Sequence, residues 1–139
     1  MLIIMCFPLS LYAQDNGQQK AQQAIDECRA LSREDITSGV TDRMRQGMQQ
    51  TSNCMEAHIV YLAKEYLYPQ SPHLVAETKD DLEILSQKYN GFYWNLYNNT
   101  DACQPSCGTM HYVRSDAKYA DLLEGMIRDI YLQIDLLNL

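Results

Sequence analysis

The most reactive side chains of this chain are four cysteines, Cys28, Cys54, Cys103 and Cys107. They follow Met1–Ala13, an apolar stretch without charged residues that is typical of an export segment. An even number of cysteines after such a segment is typical of disulfides, which form in oxidising compartments. The sequence therefore predicts an exported chain, periplasmic or secreted, whose cysteines are paired.

Four cysteines allow three pairings, and the sequence alone does not choose among them. Cys28 and Cys54 lie on different predicted helices, so a bridge between them would join those helices. Cys103 and Cys107 are separated by Gln104-Pro105-Ser106, a turn-like run that could close a small loop. We therefore favour the pairs Cys28–Cys54 and Cys103–Cys107.

A metal site is the alternative use of these side chains. Cys103, Cys107 and His111 recur at four-residue intervals, and on one helix they would offer three ligands to zinc or copper. Pro105 interrupts such a helix, and an oxidising compartment would consume the thiols. The expectation is that the chain holds no metal and no cofactor.

No catalytic arrangement is evident in the sequence. His58 has no partner at a metalloprotease spacing and is expected to be a partly buried surface residue. Glu56 and Glu65 could act as paired acids only if they converged in a cleft. The sequence therefore favours a protein that is not an enzyme.

The first 13 residues, here called the leader, limit where the protein can be located. Residues 1–13 are too few to span a bilayer, and they lack the positive start of an export signal, which indicates a signal peptide truncated at its beginning. We expect cleavage after Ala13 and a single domain over 14–139; a lipid-modified Cys6 is a minor alternative. No later apolar run is long enough for stable membrane insertion.

The net charge of −7 belongs wholly to the part after the leader. An acidic surface disfavours nucleic acid and favours a basic partner by steering encounter. Solubility alone is the other explanation for this charge.

The spacing of apolar residues predicts four helical stretches, at about 18–31, 36–66, 72–97 and from Ser115 or Asp116, the expected N-cap, onwards. Ser32 and Asp35 resemble a capping box, Pro69 ends the second stretch, and Ser71 and Pro72 open the third. With no strand-like alternation, the expected fold is an all-α, four-helix bundle-like single domain stapled by disulfides.

The apolar positions define the expected core. They are Ala21, Ala24, Ile25, Cys28 and Leu31 in the first stretch; Ile36, Val40, Met44, Met48, Cys54, Met55, Ile59, Leu62 and Tyr66 in the second; Val75, Thr78, Leu82, Leu85, Tyr89, Phe92 and Leu96 in the third; and Tyr119, Leu122, Leu123, Met126, Ile127, Ile130 and Ile134 in the last.

The region from Thr51 to Ile130 carries a recognisable series of residues: Cys54, then Trp94, Tyr97, Asp101 and Cys103, then Gly108-Thr109, and finally Arg128. This series resembles the LprI-type lysozyme inhibitors, small cysteine-containing proteins of the bacterial envelope. The chain lacks the cysteine that follows the glycine-containing link in that family. The resemblance implies a helical exported protein and inhibition of lysozyme.

The leading hypothesis is an exported helical binding protein that covers the active site of a lysozyme or another peptidoglycan hydrolase. The partner-binding candidates are Trp94, Tyr97, Asp101, His111 and Tyr112, since aromatic residues commonly anchor interfaces. Trp94 and Tyr97 could instead complete the core of the third helix. The alternative functions are a carrier of an apolar small molecule, built from the Met and Tyr residues, and an immunity protein against a cell-wall-targeting toxin.

Overall fold

The computed structural model describes residues 9–98 and 110–139. Over these residues the chain forms helices α1 (Leu9–Ala30), α2 (Arg33–Ile36), α3 (Thr41–Leu62), α4 (Pro72–Asn98) and α5 (Met110–Leu137), and a π-helical turn (Ala63–Leu67) continues α3. No strand occurs in these two ranges. The prediction of an all-α fold is confirmed.

Proline divides the chain as the sequence predicts, whereas a break at Gly39 interrupts the start of the helical stretch expected over 36–66. Gly39 adopts a φ of 71°, a conformation that glycine adopts at little cost, and separates α2 from α3. The helix after that break ends in the π turn, where the Tyr68 N–H donates to the Ala63 carbonyl at 2.7 Å, and Pro69 follows. Pro72 is the first residue of α4, where a missing N–H costs nothing.

Helix α5 lies at the centre of the fold and packs against α1, α3 and α4. Its buried side chains meet those of the other long helices in one core, formed by Ala21, Ile25, Cys28, Met55, Ile59, Leu62, Leu82, Tyr119, Leu123, Ile127, Tyr131 and Ile134. All of these except Tyr131 belong to the predicted core. The hydrophobic periodicity thus located most of the buried surface.

A disulfide joins Cys28 of α1 to Cys54 of α3, with the two Cα atoms 5.5 Å apart. This is the pairing that the sequence favours for these two residues. The expected Cys103–Cys107 pair lies outside the described residues.

Several predicted core positions are wrong. Leu31, 69% exposed, follows the end of α1, and Val40 is exposed in the turn that precedes α3. On α4, Phe92 is 62% exposed and Leu96 45%. Tyr93 and Tyr97 continue the inward side of α4 instead, since both are half-buried.

The predicted helix caps also need correction. Ser32 precedes α2 as expected, but its hydroxyl makes no capping bond and contacts the Thr51 hydroxyl of α3, in a buried position. Ser115 and Asp116 do not begin the last helix, because α5 starts at Met110. Both are buried and contact other helices.

No helix in the described part of the chain is long and apolar enough to cross a membrane. Helix α1 runs without interruption through the expected cleavage point after Ala13. Cleavage and export remain predictions.

Candidate binding surfaces

A row of tyrosines runs along α4 from the core outwards. Tyr89, Tyr93 and Tyr97 recur every four residues, and their ring centroids are 4.9 Å and 5.8 Å apart along the row. Tyr89 also lies 6.1 Å from the buried ring of Tyr119 on α5. These distances are typical of favourable aromatic contacts, and the Tyr89–Tyr119 contact joins α4 to α5.

Trp94 and Tyr112 meet where α4 ends and α5 begins, with ring centroids 6.1 Å apart. The Arg45 guanidinium of α3 lies 4.5 Å from the centre of the Tyr112 ring, a cation–π contact. Arg45 also donates from Nε to Asp116 Oδ2 at 3.3 Å. Burial raises the pKa of Asp116, and the Arg45 charge opposes that rise. This cluster connects α3, α4 and α5.

The structure brings two of the five predicted partner-binding residues, Trp94 and Tyr112, into contact with each other. Trp94, Tyr97 and Tyr112 are half-buried and contact other side chains of the same chain, as expected if they complete the core. Asp101 and the side chain of His111 lie outside the described residues. Contact of these five residues with a partner remains a prediction.

The outward side of α4 presents a different set of residues. Glu77, Asp81, Ile84, Lys88 and Phe92 are spaced by three or four residues, so they share one side of the helix, and all five are exposed. Hydrophobic periodicity did not reveal this surface, because it placed Phe92 in the core. Hereafter these five residues are called the α4 outer face.

A second cluster surrounds His58 on the side of the fold formed by α1, α3 and α5. The His58 Nε2 atom lies 3.0 Å from the Tyr131 hydroxyl, and the two rings are stacked with centroids 5.8 Å apart. Burial lowers the pKa of His58, and the nearby Glu27 carboxylate opposes that shift. The prediction of a partly buried histidine is confirmed.

Two more tyrosines extend the His58 cluster. Tyr61 lies 5.7 Å from His58, ring centre to ring centre, and Tyr66 meets Tyr61 edge-on at 6.5 Å. In an α-helix, residues five apart point about 140° away from each other. The π turn that contains Tyr66 widens the helix locally, which permits the two rings to meet.

The carboxylates that the sequence offered as a catalytic pair have different surroundings. Glu56 accepts a 2.7 Å hydrogen bond from the Tyr119 hydroxyl, whose oxygen also lies 3.1 Å from the Leu82 carbonyl oxygen. Burial, with the Glu56 charge adding to it, raises the pKa of Tyr119. Glu65 is exposed in the π turn. Glu56 thus provides a hydrogen-bond acceptor for the hydroxyl of a buried tyrosine.

The volume of the apolar cavity bears on the carrier hypothesis. A cavity between α3, α4 and α5 is lined chiefly by apolar side chains and has a volume of about 230 Å³. Small-molecule sites usually measure about 300–1,000 Å³. Within the described ranges, no three His, Cys, Asp or Glu side chains are grouped as metal ligands. The apolar cavity is therefore smaller than a usual carrier site.

Comparison of the chain with protein-family models, with curated proteins and with solved structures found no match. The resemblance to the LprI-type inhibitors remains a prediction from the residues that carry it.

Proposed function

We propose that this chain is an exported binding protein that docks on a basic protein through the α4 outer face. A lysozyme or another peptidoglycan hydrolase, inhibited by occlusion of its active site, is the partner we consider first. We further propose that the four long helices form a four-helix bundle that the Cys28–Cys54 bridge holds rigid, so that the interface is presented without reorganisation.

One observation carries the proposal: Phe92 is 62% exposed on the same side of α4 as two acidic residues. A single exposed apolar residue needs no explanation. Here Ile84 is also exposed, two turns before Phe92, and Glu77 and Asp81 precede it on the same face. Apolar anchors beside charged residues are the usual composition of a protein interface with a polar rim.

The charge of this face selects the class of partner. The face carries two exposed carboxylates, Glu77 and Asp81, against one lysine, Lys88. Next to it on α4, Asp80 and Glu83 add two exposed carboxylates against Lys79. Such a surface attracts cationic proteins and repels anionic ones, and the attraction is screened over about 8 Å at physiological salt. A basic cell-wall hydrolase in the same compartment would meet this requirement.

The carrier hypothesis has less support, because the apolar cavity is smaller than the usual range. The immunity hypothesis differs only in the enzyme that is bound. A toxin that degrades the cell wall would be recognised by the same acidic and apolar face.

The test is inhibition of cell-wall turbidity loss by a panel of basic lysozymes and peptidoglycan hydrolases, including cell-wall-targeting toxins. We expect stoichiometric inhibition of at least one enzyme, with weaker binding at higher salt. Phe92→Ser should weaken binding of that enzyme by about 30-fold or more if Phe92 is a central anchor. Leu31→Ser is the matched control, since Leu31 is 69% exposed and lies on no part of this face.

Charge is tested separately. Glu77→Gln combined with Asp81→Asn should slow association, whereas Glu34→Gln with Asp26→Asn removes equal charge elsewhere and should have a smaller effect. No inhibition across the panel, or equal effects of the Phe92 and Leu31 variants, would contradict the proposed interface.

A further inference from the structure

We propose that the side chains around His58 form an aromatic cage for an alkylammonium group. The cage consists of His58, Tyr61, Tyr66 and Tyr131, with Glu27 at its edge. It includes no residue of α4, so it is independent of the interface proposed above.

The cavity has the size and the lining that a small cation requires. Its volume is about 310 Å³, and its lining residues come from α1, α3, α5 and the π turn. Three tyrosine rings and one imidazole border it, and Tyr61 is 48% exposed, so the cavity is open to solvent. The faces of aromatic rings carry negative potential and attract cations within about 6 Å, and cages of such rings bind quaternary ammonium groups.

The arrangement of the rings supports a cation over a flat aromatic ligand. Tyr61 and Tyr66 stand at 81° to each other, and His58 and Tyr131 lie nearly parallel at 28°. His58 also lies at 34° to Tyr61, so Tyr66 forms a wall that is steeply inclined to the ring beside it, while the other three rings are tilted by smaller angles. A compact, roughly spherical group contacts several walls of this kind, whereas a flat ring contacts one.

The charges around the cage are of both signs. Glu27 lines the cavity and lies close to His58 and Tyr131. Lys20, two turns earlier on α1, is exposed and also lines it. Burial lowers the pKa of His58, so the imidazole is neutral at pH 7 and does not repel a bound cation. Lys20 does repel one, which makes it a useful probe.

The experiment is an NMR titration of the disulfide-bonded chain with choline, compared with 3,3-dimethylbutan-1-ol, its uncharged analogue of the same shape. We expect choline to shift the signals of the four ring side chains and to bind about 3- to 30-fold more tightly than the alcohol. Equal binding of the two compounds, or no binding of choline, would overturn the proposal.

Substitutions then localise the site without disturbing the core, because Tyr61 is exposed. Tyr61→Leu should weaken choline binding by about 3- to 30-fold, whereas Tyr61→Phe keeps the aromatic face and should change it little. Lys20→Met should tighten binding by removing a like charge. Tyr68→Leu is the control, since Tyr68 is also exposed and lines a different cavity. An unchanged affinity in Tyr61→Leu would overturn the assignment.

An alkylammonium group could come from a free small molecule or from a lysine side chain of a protein. A parallel titration with N-acetyl-lysine methylamide separates the two sources, because that compound presents a lysine side chain in peptide form. If it binds at least as tightly as choline, the cage receives protein side chains. If choline alone binds, the cage receives a free quaternary ammonium compound.

Discussion

The disulfide between α1 and α3 gives the most quantitative prediction. Replacing both Cys28 and Cys54 by alanine removes a bridge between residues separated by 26 positions. Closing a loop of that size lowers the entropy of the unfolded chain by about 12 cal/mol/K, or about 3.5 kcal/mol at 25 °C. We expect the free energy of unfolding to fall by about that amount. The midpoint of thermal unfolding should fall by about 12 °C, given about 0.3 kcal/mol/K of unfolding entropy for a chain of this length.

Urea denaturation followed by circular dichroism measures this loss, with the Cys103→Ala, Cys107→Ala double variant as the control. The control should keep the Cys28–Cys54 bridge, which peptide mapping of the oxidised protein would reveal. A loss below about 1 kcal/mol would refute the entropic argument. Mapping that pairs Cys28 with any cysteine other than Cys54 would refute the structural basis of the prediction.

Three further predictions concern stability. Gly125→Ala should raise the free energy of unfolding by about 0.5–1 kcal/mol, because a Cβ there meets nothing within 4 Å. Gly47→Ala should lower it by about 1 kcal/mol, because its Cβ would lie 3.2 Å from a backbone nitrogen of α2. Urea denaturation of the two variants checks that the two changes have opposite signs. Arg45→Met should lower the free energy of unfolding by about 1–3 kcal/mol at pH 7, because it leaves the Asp116 carboxylate, 9% exposed, without its cation. Because burial raises the pKa of Asp116, this loss should become smaller towards pH 4. A loss that does not depend on pH would contradict the prediction. Burial lowers the His58 pKa in the folded state, so stability from this group is present above pH 6.5 and is lost as the pH falls from 6.5 towards the folded pKa; His58→Gln should flatten thermal stability between pH 7 and 5, and an unchanged slope would contradict the assignment.

The sequence predicted the break between α3 and α4 because a local signal marks it, whereas the starts of α1 and α5 lie earlier than expected. Pro69 and Pro72 act through their own rings, so no distant residue is needed to place this break. The Cys28–Cys54 pairing followed from placing the two cysteines on different helices. The proline break depends on neighbouring residues, and the disulfide depends on a single distant contact.

The second half of α4 was assigned incorrectly for an equally physical reason. Residues 92–97 include Phe92, Tyr93, Trp94, Leu96 and Tyr97, so five of six positions are apolar. A helical periodicity cannot choose the buried side of such a run, since every side is apolar. Packing against Tyr112 and Tyr119 makes the choice, and those residues lie on α5.

Buried polar residues also limit what can be predicted from the sequence alone. Ser115 and Asp116 have the composition of a helix cap, but the Ser115 hydroxyl donates to the Asn90 carbonyl at 2.9 Å, and Asp116 accepts from Arg45, 71 positions earlier. A side-chain oxygen can satisfy the N–H groups of its own helix or a donor on another, and only the fold decides which.

The two proposed surfaces also differ in how far the sequence could have revealed them. The α4 outer face lies on one helix, and recognising it required only the correct side of that helix. The cage needs His58 and Tyr131, which are 73 positions apart, together with a π turn that brings Tyr66 beside Tyr61. A π turn forgoes regular α-helical hydrogen bonding, and such turns are frequent at functional sites. Its occurrence beside Tyr66, where it permits the contact with Tyr61, is therefore a reason to test the cage even if no cell-wall hydrolase binds.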